Sequence, residues 1–322
     1  MSAVRALVTG ATGQDGSYLV ERLVADGVEV HALVRHDDGA ALPDGVRRHR
    51  GDLTDGAGMA ALVAEVGPAE IYNLGGLSSV ALSWEQPALT AEVTGVAPGH
   101  LLKAAFELQE RTGEPVRFVQ ASSAEIFGRT SGAAADEDTP IRPLTPYGAA
   151  KAYAHHVVGV YRARGLHASS CILFNHESPR RPETFVTRKI TAGAARIARG
   201  QQQELAMGNL DPRRDWGWAP DYVAAMVLAA RADEGRDYVV ATGVSHSVRE
   251  FVAAAFTAAG IDDWERYVTL DPRFARPSDA PDLVGDASRA RELLGWAPSL
   301  GFEEIVARMV ENDLGLLDAG QA

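Results

Sequence analysis

The chain has 322 residues, 46% hydrophobic and 23% charged, the proportions of a soluble globular protein with room for one large α/β domain or two smaller ones. Its formal net charge of −12 argues against a nucleic-acid partner, which would demand a basic face. A single cysteine, Cys171, excludes an intramolecular disulfide and a cysteine-based metal site, and no metal is expected. No apolar run approaches the roughly 20 residues of a membrane helix, and no signal-peptide pattern precedes the first strand, so a cytoplasmic protein with no membrane partner is expected.

Strand-like and helix-like patterns alternate from the start. Residues 5–8 read as a short apolar strand and 16–25 as a helix; 28–34 and 46–50 read as strands and 56–66 as a helix. A strand at 70–74, a long helix at 91–108, a strand at 116–121, a helix at 146–164 and a strand at 168–174 follow. Repeated βα units of this kind predict a Rossmann-like doubly wound parallel sheet, with right-handed crossovers and helices on both faces. After Asn175, prolines and arginine clusters punctuate shorter elements. Residues 1–175 are therefore expected to form the dinucleotide-binding part, with returning segments near 210–245, and 176–322 mainly a smaller mixed α/β ligand-binding region.

Directly after the first strand, Gly10, Gly13 and Gly16 space a turn that opens a helix. Such a turn lets the backbone approach a pyrophosphate, and the helix N-terminus supplies N–H groups and a positive dipole end. The second strand ends in Arg35 rather than an acidic residue, which favours NADP over NAD because a guanidinium accommodates the ribose 2′-phosphate. Asp52 and Leu53 follow the third strand where the fold places adenine contacts, although an Asp before a helix is equally a candidate N-cap.

The chain has three lysines among 31 basic Lys and Arg residues. One of them, Lys151, stands four residues after Tyr147, so phenol and ammonium share a helix face. Ser123 and Glu125 close the strand that ends at Ala121, at the carboxyl edge where open α/β sheets bind ligands. Hydroxyl, carboxylate, phenol and amine thus converge in one place.

These residues resemble the extended short-chain dehydrogenase/reductase superfamily and, within it, the GDP-mannose 4,6-dehydratase family. The similarity runs nearly end to end. It includes residues 12–19 and 71–74, Pro146-Tyr147, the run 173–181 (Leu-Phe-Asn-His-Glu-Ser-Pro-Arg-Arg) continued by 183–190, and the stretches 208–211, 214–217 and 247–251. The resemblance implies that Thr12, Gln14, Asp15 and Leu74 join the glycines, Arg35, Asp52, Leu53, Tyr147 and Lys151 in holding NADP. It implies that Tyr147 takes the sugar O4 proton as C4 is oxidised, that Ser123 bonds O4, and that Glu125 removes the C5 proton so that water leaves from C6. For Tyr147 to act, its pKa must fall from about 10 toward neutrality, worth roughly 4 kcal/mol, and Lys151 with the nicotinamide cation is the expected source. Asn175, Arg181, Val186, Lys189, Arg214 and Arg276 are implied to bind GDP-mannose or a related nucleotide sugar. The arginine pairs 180–181 and 213–214 are both expected at the ligand.

Two departures from the family pattern bear on function. Gly75-Gly76-Leu77-Ser78-Ser79 replaces the family's Ala-Ala-Gln-Ser-His, and Ser123 replaces its catalytic Thr, as in nucleotide-sugar 4-epimerases. The insertion that supports the family's tetramer is short here, so a homodimer is expected ahead of a tetramer. A 4-epimerase is the alternative reaction and a non-catalytic NADP sensor a third reading; the epimerase has no use for Glu125.

Overall fold

The computed structural model describes residues 4–35, 42–130, 132–271, 273 and 282–320. The first strand, β1 (Arg5–Thr9), leads through the glycine turn into α1 (Gln14–Ala25), then β2 (Glu29–Val34), β3 (Arg47–Arg50), α2 (Gly56–Val66) and β4 (Glu70–Asn73). A helical stretch follows as α3 (Val80–Glu85), α4 (Pro87–Thr90), a π-helical segment Ala91–Val96 and α5 (Ala97–Thr112). Then come β5 (Arg117–Ala121), α6 (Pro146–Ala163) and β6 (His167–Leu173).

The expected long helix from residue 91 begins earlier and changes gauge. Pro98 has no N–H for the carbonyl four residues back, and the turn before it widens, with the Ala97 N–H bonding to the Glu92 carbonyl.

Beyond β6 lie β7 (Asn175–Glu177), α7 (Val186–Ala198), β8 (Leu205–Met207), β9 (Arg213–Trp218) and α8 (Ala219–Arg231). They are followed by β10 (Asp237–Val240), β11 (Ser245–Ser247), α9 (Val248–Ala258), β12 (Val268–Leu270), α10 (Ser288–Leu294) and α11 (Phe302–Asp318).

The main sheet has seven strands in the order β10-β6-β5-β4-β1-β2-β3, every pair parallel. This is the expected doubly wound sheet, and residues 237–240 return to it beside β6. Its inner strands read as continuous apolar runs because helices cover both faces. One face packs Leu19, Val20 and Leu23 of α1 with Tyr222, Met226 and Ala230 of α8, and the other packs Met59, Leu62 and Val63 of α2 with Leu101, Leu102 and Leu108 of α5. Ala287, Ala290 and Trp296, late in the chain, also join the first of these cores.

A third core gathers α7, α9 and α11 around Trp216 of β9, with Ile190, Phe251, Val252, Ile305 and Met309 fully buried. Two small sheets, β11-β9-β7 and β12-β8, flank it. Between the first and third cores, Asp215 is completely buried and accepts hydrogen bonds from Thr242 N, Thr242 Oγ1, Gly243 N and Gly285 N, so one carboxylate ties β9 to two later loops.

Inside the third core, Arg188 of α7 meets Asp313 of α11 at 2.7 Å, both side chains almost entirely buried. Two charges so placed are costly to separate and only weakly favourable together. Asp313→Ala should therefore lose about 3 kcal/mol in urea unfolding, because the buried guanidinium loses its closest carboxylate and keeps Glu183 at 3.5 Å and the Pro179 carbonyl. The double change Arg188→Met with Asp313→Leu should recover nearly all of that loss.

Candidate active site

The carboxyl ends of β1, β4 and β5 end in a buried polar chain. Thr9 Oγ1 donates to Asn73 Oδ1 at 2.7 Å, Asn73 Nδ2 to Gln120 Oε1 at 2.8 Å, and Gln120 Nε2 to the Ala121 carbonyl at 3.0 Å. The same carbonyl accepts Lys151 Nζ at 2.8 Å, so the lysine head is fastened to the strand end. Sequence reading passed over Thr9, Asn73 and Gln120. Their signal was polar side chains closing three otherwise apolar strands.

The glycine turn fits a dinucleotide. Gly10 adopts φ +68°, and a Cβ there would sit 2.9 Å from Gly75 N and from the Leu74 carbonyl carbon. A Cβ on Gly16 would fall 2.0 Å from the Gly10 carbonyl oxygen, so helix and turn touch through bare backbone. Gly13 is the N-cap of α1, and no side chain caps the helix there, which leaves its N-terminal N–H groups for an anion. Thr12 is exposed on the turn, and Leu74 packs against the first core.

Arg35 lies exposed just past the end of β2. Asp52 accepts from Thr54 N and Thr54 Oγ1, both at 2.9 Å, while the N-cap of α2 is Asp55, whose carboxylate accepts from Gly58 N. The capping role open to Asp52 thus belongs to its neighbour. Leu53 reaches over Gly75, where a Cβ would meet Leu53 Cδ1 at 2.5 Å.

Gln14 and Asp15 do something the sequence did not suggest. Asp15 Oδ2 lies 2.8 Å from His176 Nε2, Gln14 Nε2 donates to the His176 carbonyl, and Ser178 Oγ donates to Gln14 Oε1. Their side chains face β7 and the loop after it. Glu21 and Ser17 of the same helix hold Arg180, whose guanidinium also covers the Tyr18 ring.

The candidate reacting groups Tyr147 and Lys151 sit at the head of α6. Thr145 caps the helix by accepting from Gly148 N, and Pro146 opens it. Tyr147 and Lys151 follow on one face, Lys151 Nζ 5.8 Å from the Tyr147 ring centre. Ser123 caps the short 3₁₀ turn Ala124–Ile126, accepting from Glu125 N, and its hydroxyl is near enough to Tyr147 to favour the phenolate. A Cβ on Gly148 would lie 2.6 Å from the Glu125 carbonyl oxygen, so α6 rests directly on the turn that carries Glu125.

The lowering of the Tyr147 pKa is expected from Lys151 acting with the nicotinamide cation; the protein's own groups leave the phenol raised. Burial pushes the phenol up to about 12; Ser123 and Arg181 work against the rise and the charges of Glu125 and Asp15 add to it. Burial likewise pulls the Lys151 ammonium down to about 8, with the Asp15 carboxylate opposing. The Lys151 Nζ atom is turned to the Ala121 carbonyl.

A cavity of about 220 Å³ lies among the elements after β6; Ser123, Glu125, Tyr147 and Lys151 do not line it, but the charge of Arg181 on its wall reaches Tyr147. Asn175, Arg181, Val186, Lys189 and Arg214 all line it, together with Glu177, Phe185 and Trp216. Arg276 lies outside the described residues. Arg181 stacks on Phe185 and meets Glu177, which is 1% exposed and also accepts from Thr187 Oγ1. Glu177 went unnoticed in the sequence, although its spacing of four from Arg181 was the available signal. Lys189 Nζ donates to the Ala206 carbonyl at 2.6 Å, and burial lowers its pKa.

Each arginine pair divides its labour, contrary to the expectation that both members face the ligand. Arg180 is held on α1, and Arg213 donates to the Ser245 carbonyl and pairs with Glu250, so only Arg181 and Arg214 reach the cavity.

With this geometry in view, comparison with known proteins is direct. The chain matches the sequence model of the family described as GDP-mannose 4,6 dehydratase over residues 7–309. GDP-mannose 4,6 dehydratase 1 of Arabidopsis thaliana is 44% identical over 97% of this chain and 90% of that protein. The Homo sapiens GDP-mannose 4,6 dehydratase is 42% identical over 97% of this chain and 92% of that protein. Among solved structures, the Thermus thermophilus UDP-glucose 4-epimerase in complex with NAD superposes with a TM-score of 0.84 at 31% identity, covering 97% of this chain and 99% of that one. Similarity of that extent to whole relatives assigns the chain: it belongs to the GDP-mannose 4,6-dehydratase family.

Proposed function

We propose that this protein is an NADP-dependent hydro-lyase that converts GDP-mannose to GDP-4-keto-6-deoxymannose and water. The observation that carries this reading is Glu125, a carboxylate on the same short turn as Ser123 and near enough to Tyr147 for its charge to raise the phenol. Elimination across C5 and C6 needs a base at C5; inversion at C4 does not. Relatives at 42% and 44% identity are named as dehydratases, against 31% for the epimerase neighbour, and this supports the same choice.

Tyr147 takes the O4 proton, with Ser123 hydrogen-bonded to the phenol and to the sugar oxygen. Bound NADP supplies a hydride acceptor for C4 and, once reduced, the hydride that C6 receives, so no external oxidant is consumed. The 4-ketone acidifies C5, Glu125 removes that proton as general base and gives it to the 6-hydroxyl, which leaves as water, and C5 is reprotonated as C6 takes the hydride, in balance with the proton taken from O4. A phenol lifted to about 12 by burial is almost wholly protonated near neutral pH, and the cationic charge of a bound oxidised cofactor would favour its ionised form.

We assign the glycine turn, the N-terminus of α1, Arg35, Leu53 and Leu74 to the dinucleotide. The NAD of the epimerase neighbour supports a nicotinamide cofactor, and Arg35 in place of an acidic residue supports NADP. Asn175, Arg181, Val186, Lys189 and Arg214 are assigned to the nucleotide sugar, where Arg forks against phosphate offset the net charge of the chain. Residues 1–175 with the later returning segments then serve the cofactor, and the rest of 176–322 the sugar nucleotide.

A homodimer through α6 and its neighbouring helices fits the exposed apolar residues there. Tyr153 and Val160 share one face of α6 and are more than half exposed, and Trp84, Leu89 and Val96 are exposed on the helices packed beside it.

Incubation with GDP-mannose in deuterated water should yield a product with deuterium at C5 and no 6-hydroxyl; an intact hexose epimerised at C4 would mark the rival reaction. Tyr147→Phe should cut turnover about 10³-fold while NADP still binds, and Glu125→Gln should leave C4 oxidation detectable in a single turnover but stop elimination. Near-normal dehydration by either variant defeats the role given to that residue. In sedimentation, Val160→Glu should convert the dimer to monomer, and an unchanged sedimentation coefficient would place the interface elsewhere.

A further inference from the structure

Outside the residues assigned to the reaction, Asp15 and His176 form a buried, closely bonded pair. Nδ1 of His176 lies 2.7 Å from the Phe174 carbonyl oxygen, and Nε2 lies 2.8 Å from Asp15 Oδ2. A carbonyl only accepts, so Nδ1 carries hydrogen toward Phe174, and toward an ionised Asp15 Nε2 carries one as well, the arrangement of an imidazolium. It is buried and stacks on Tyr222 of α8 at 4.5 Å. Gln14 reinforces the contact, donating to the His176 carbonyl at 3.2 Å and accepting from Ser178 Oγ at 2.9 Å.

The two partners belong to different parts of the site. Asp15 stands in the first turn of α1, directly behind the glycine turn. His176 is the middle residue of β7, between Asn175 and Glu177, which line the cavity. Asp15 also sends its field to Tyr147 and Lys151, and Arg181 of the cavity acts on Asp15 and His176 alike. Burial raises the Asp15 pKa, yet the His176 charge and hydrogen bond outweigh it, so the carboxyl stays below its ordinary value. Burial lowers the His176 pKa, and Asp15 more than restores it.

We propose that the Asp15–His176 pair is a positioning element that registers the dinucleotide turn against the substrate strand, so that occupation of one nucleotide site favours the other. The proposal rests on the nucleotide-sugar reading above. Because the pair spans both sites, neither residue is a private contact of one ligand. Ordering the turn around the first nucleotide holds β7 in place for the second, and by thermodynamic reciprocity the effect runs equally in both directions.

The test measures the affinity of NADP⁺ in the presence and absence of GDP, and of GDP in the presence and absence of NADP⁺, by calorimetry on the full-length protein. The unchanged chain should show mutual tightening of at least about fivefold, the low end of ordinary allosteric coupling. In Asp15→Asn, which keeps size and an acceptor but loses the charge, and in His176→Gln, the coupling factor should fall close to one. The double variant should show no further loss. Thermal unfolding checks folding, and if His176→Gln does not fold, Asp15→Asn alone decides.

Absence of coupling in the unchanged chain overturns the proposal. So does coupling that survives in both variants, or a selective loss of NADP⁺ affinity in Asp15→Asn with coupling intact, which would make Asp15 a plain cofactor contact. A protein that couples the two nucleotides but dehydrates no GDP-mannose would remove the proposed reaction and leave the positioning pair standing.

Discussion

Everything at the reacting centre depends on how closely α6 approaches its neighbours. Gly148 brings the helix onto the Glu125 carbonyl with no space for a side chain, and a Cβ on Gly95, in the π-helical segment, would lie 3.2–3.3 Å from Ala150. Larger residues at these two points would push the helix off its neighbours. Tyr147 would then part from Ser123, and Lys151 from the Ala121 carbonyl. Interiors packed at crystal-like density offer no cheap adjustment for such a shift. The π segment has a local cause, Pro98, and a distant effect: it shapes the surface against which the helix of Tyr147 rests.

Burial then creates the electrostatic problem that ligands solve. Around Tyr147 lie two carboxylates, Glu125 and Asp15, and two cations, Lys151 and Arg181, all at low exposure to water or partly so. Left to these groups the phenol is held up and the ammonium is held down, because removing a charge from water outweighs the local attractions. The reactive state is therefore a property of the loaded site and not of the side chains alone. The same economy governs the acidic chain as a whole: where one arginine of a pair is held by a carboxylate on a neighbouring helix, the other is left to line the cavity.

Much of this was legible in the residues. The alternation of apolar runs and amphipathic helices implied a doubly wound parallel sheet, because strands buried on both faces and helices buried on one leave different periodicities. The glycine turn, the Tyr147–Lys151 spacing and the position of Ser123 and Glu125 at a strand end are local patterns of fewer than ten residues each, and local patterns survive without knowledge of the fold. The return of β10 to the sheet could be read from its apolar run, whereas the partnership of Ala287, Ala290 and Trp296 with the same core could not.

What the sequence by itself determined was the class of fold, the glycine turn and the candidate group of Ser123, Glu125, Tyr147 and Lys151, since each follows from backbone geometry and from neighbours along the chain. Tertiary structure alone decided which side chains spend their hydrogen bonds on one another. Asp15 and His176 are 161 residues apart, Arg180 and Glu21 are 159 apart, and the lysine head finds a carbonyl on a strand 30 residues away. Such pairings depend on where crossovers place distant elements, and a charge or a donor carries no mark of its partner until the chain has folded around both.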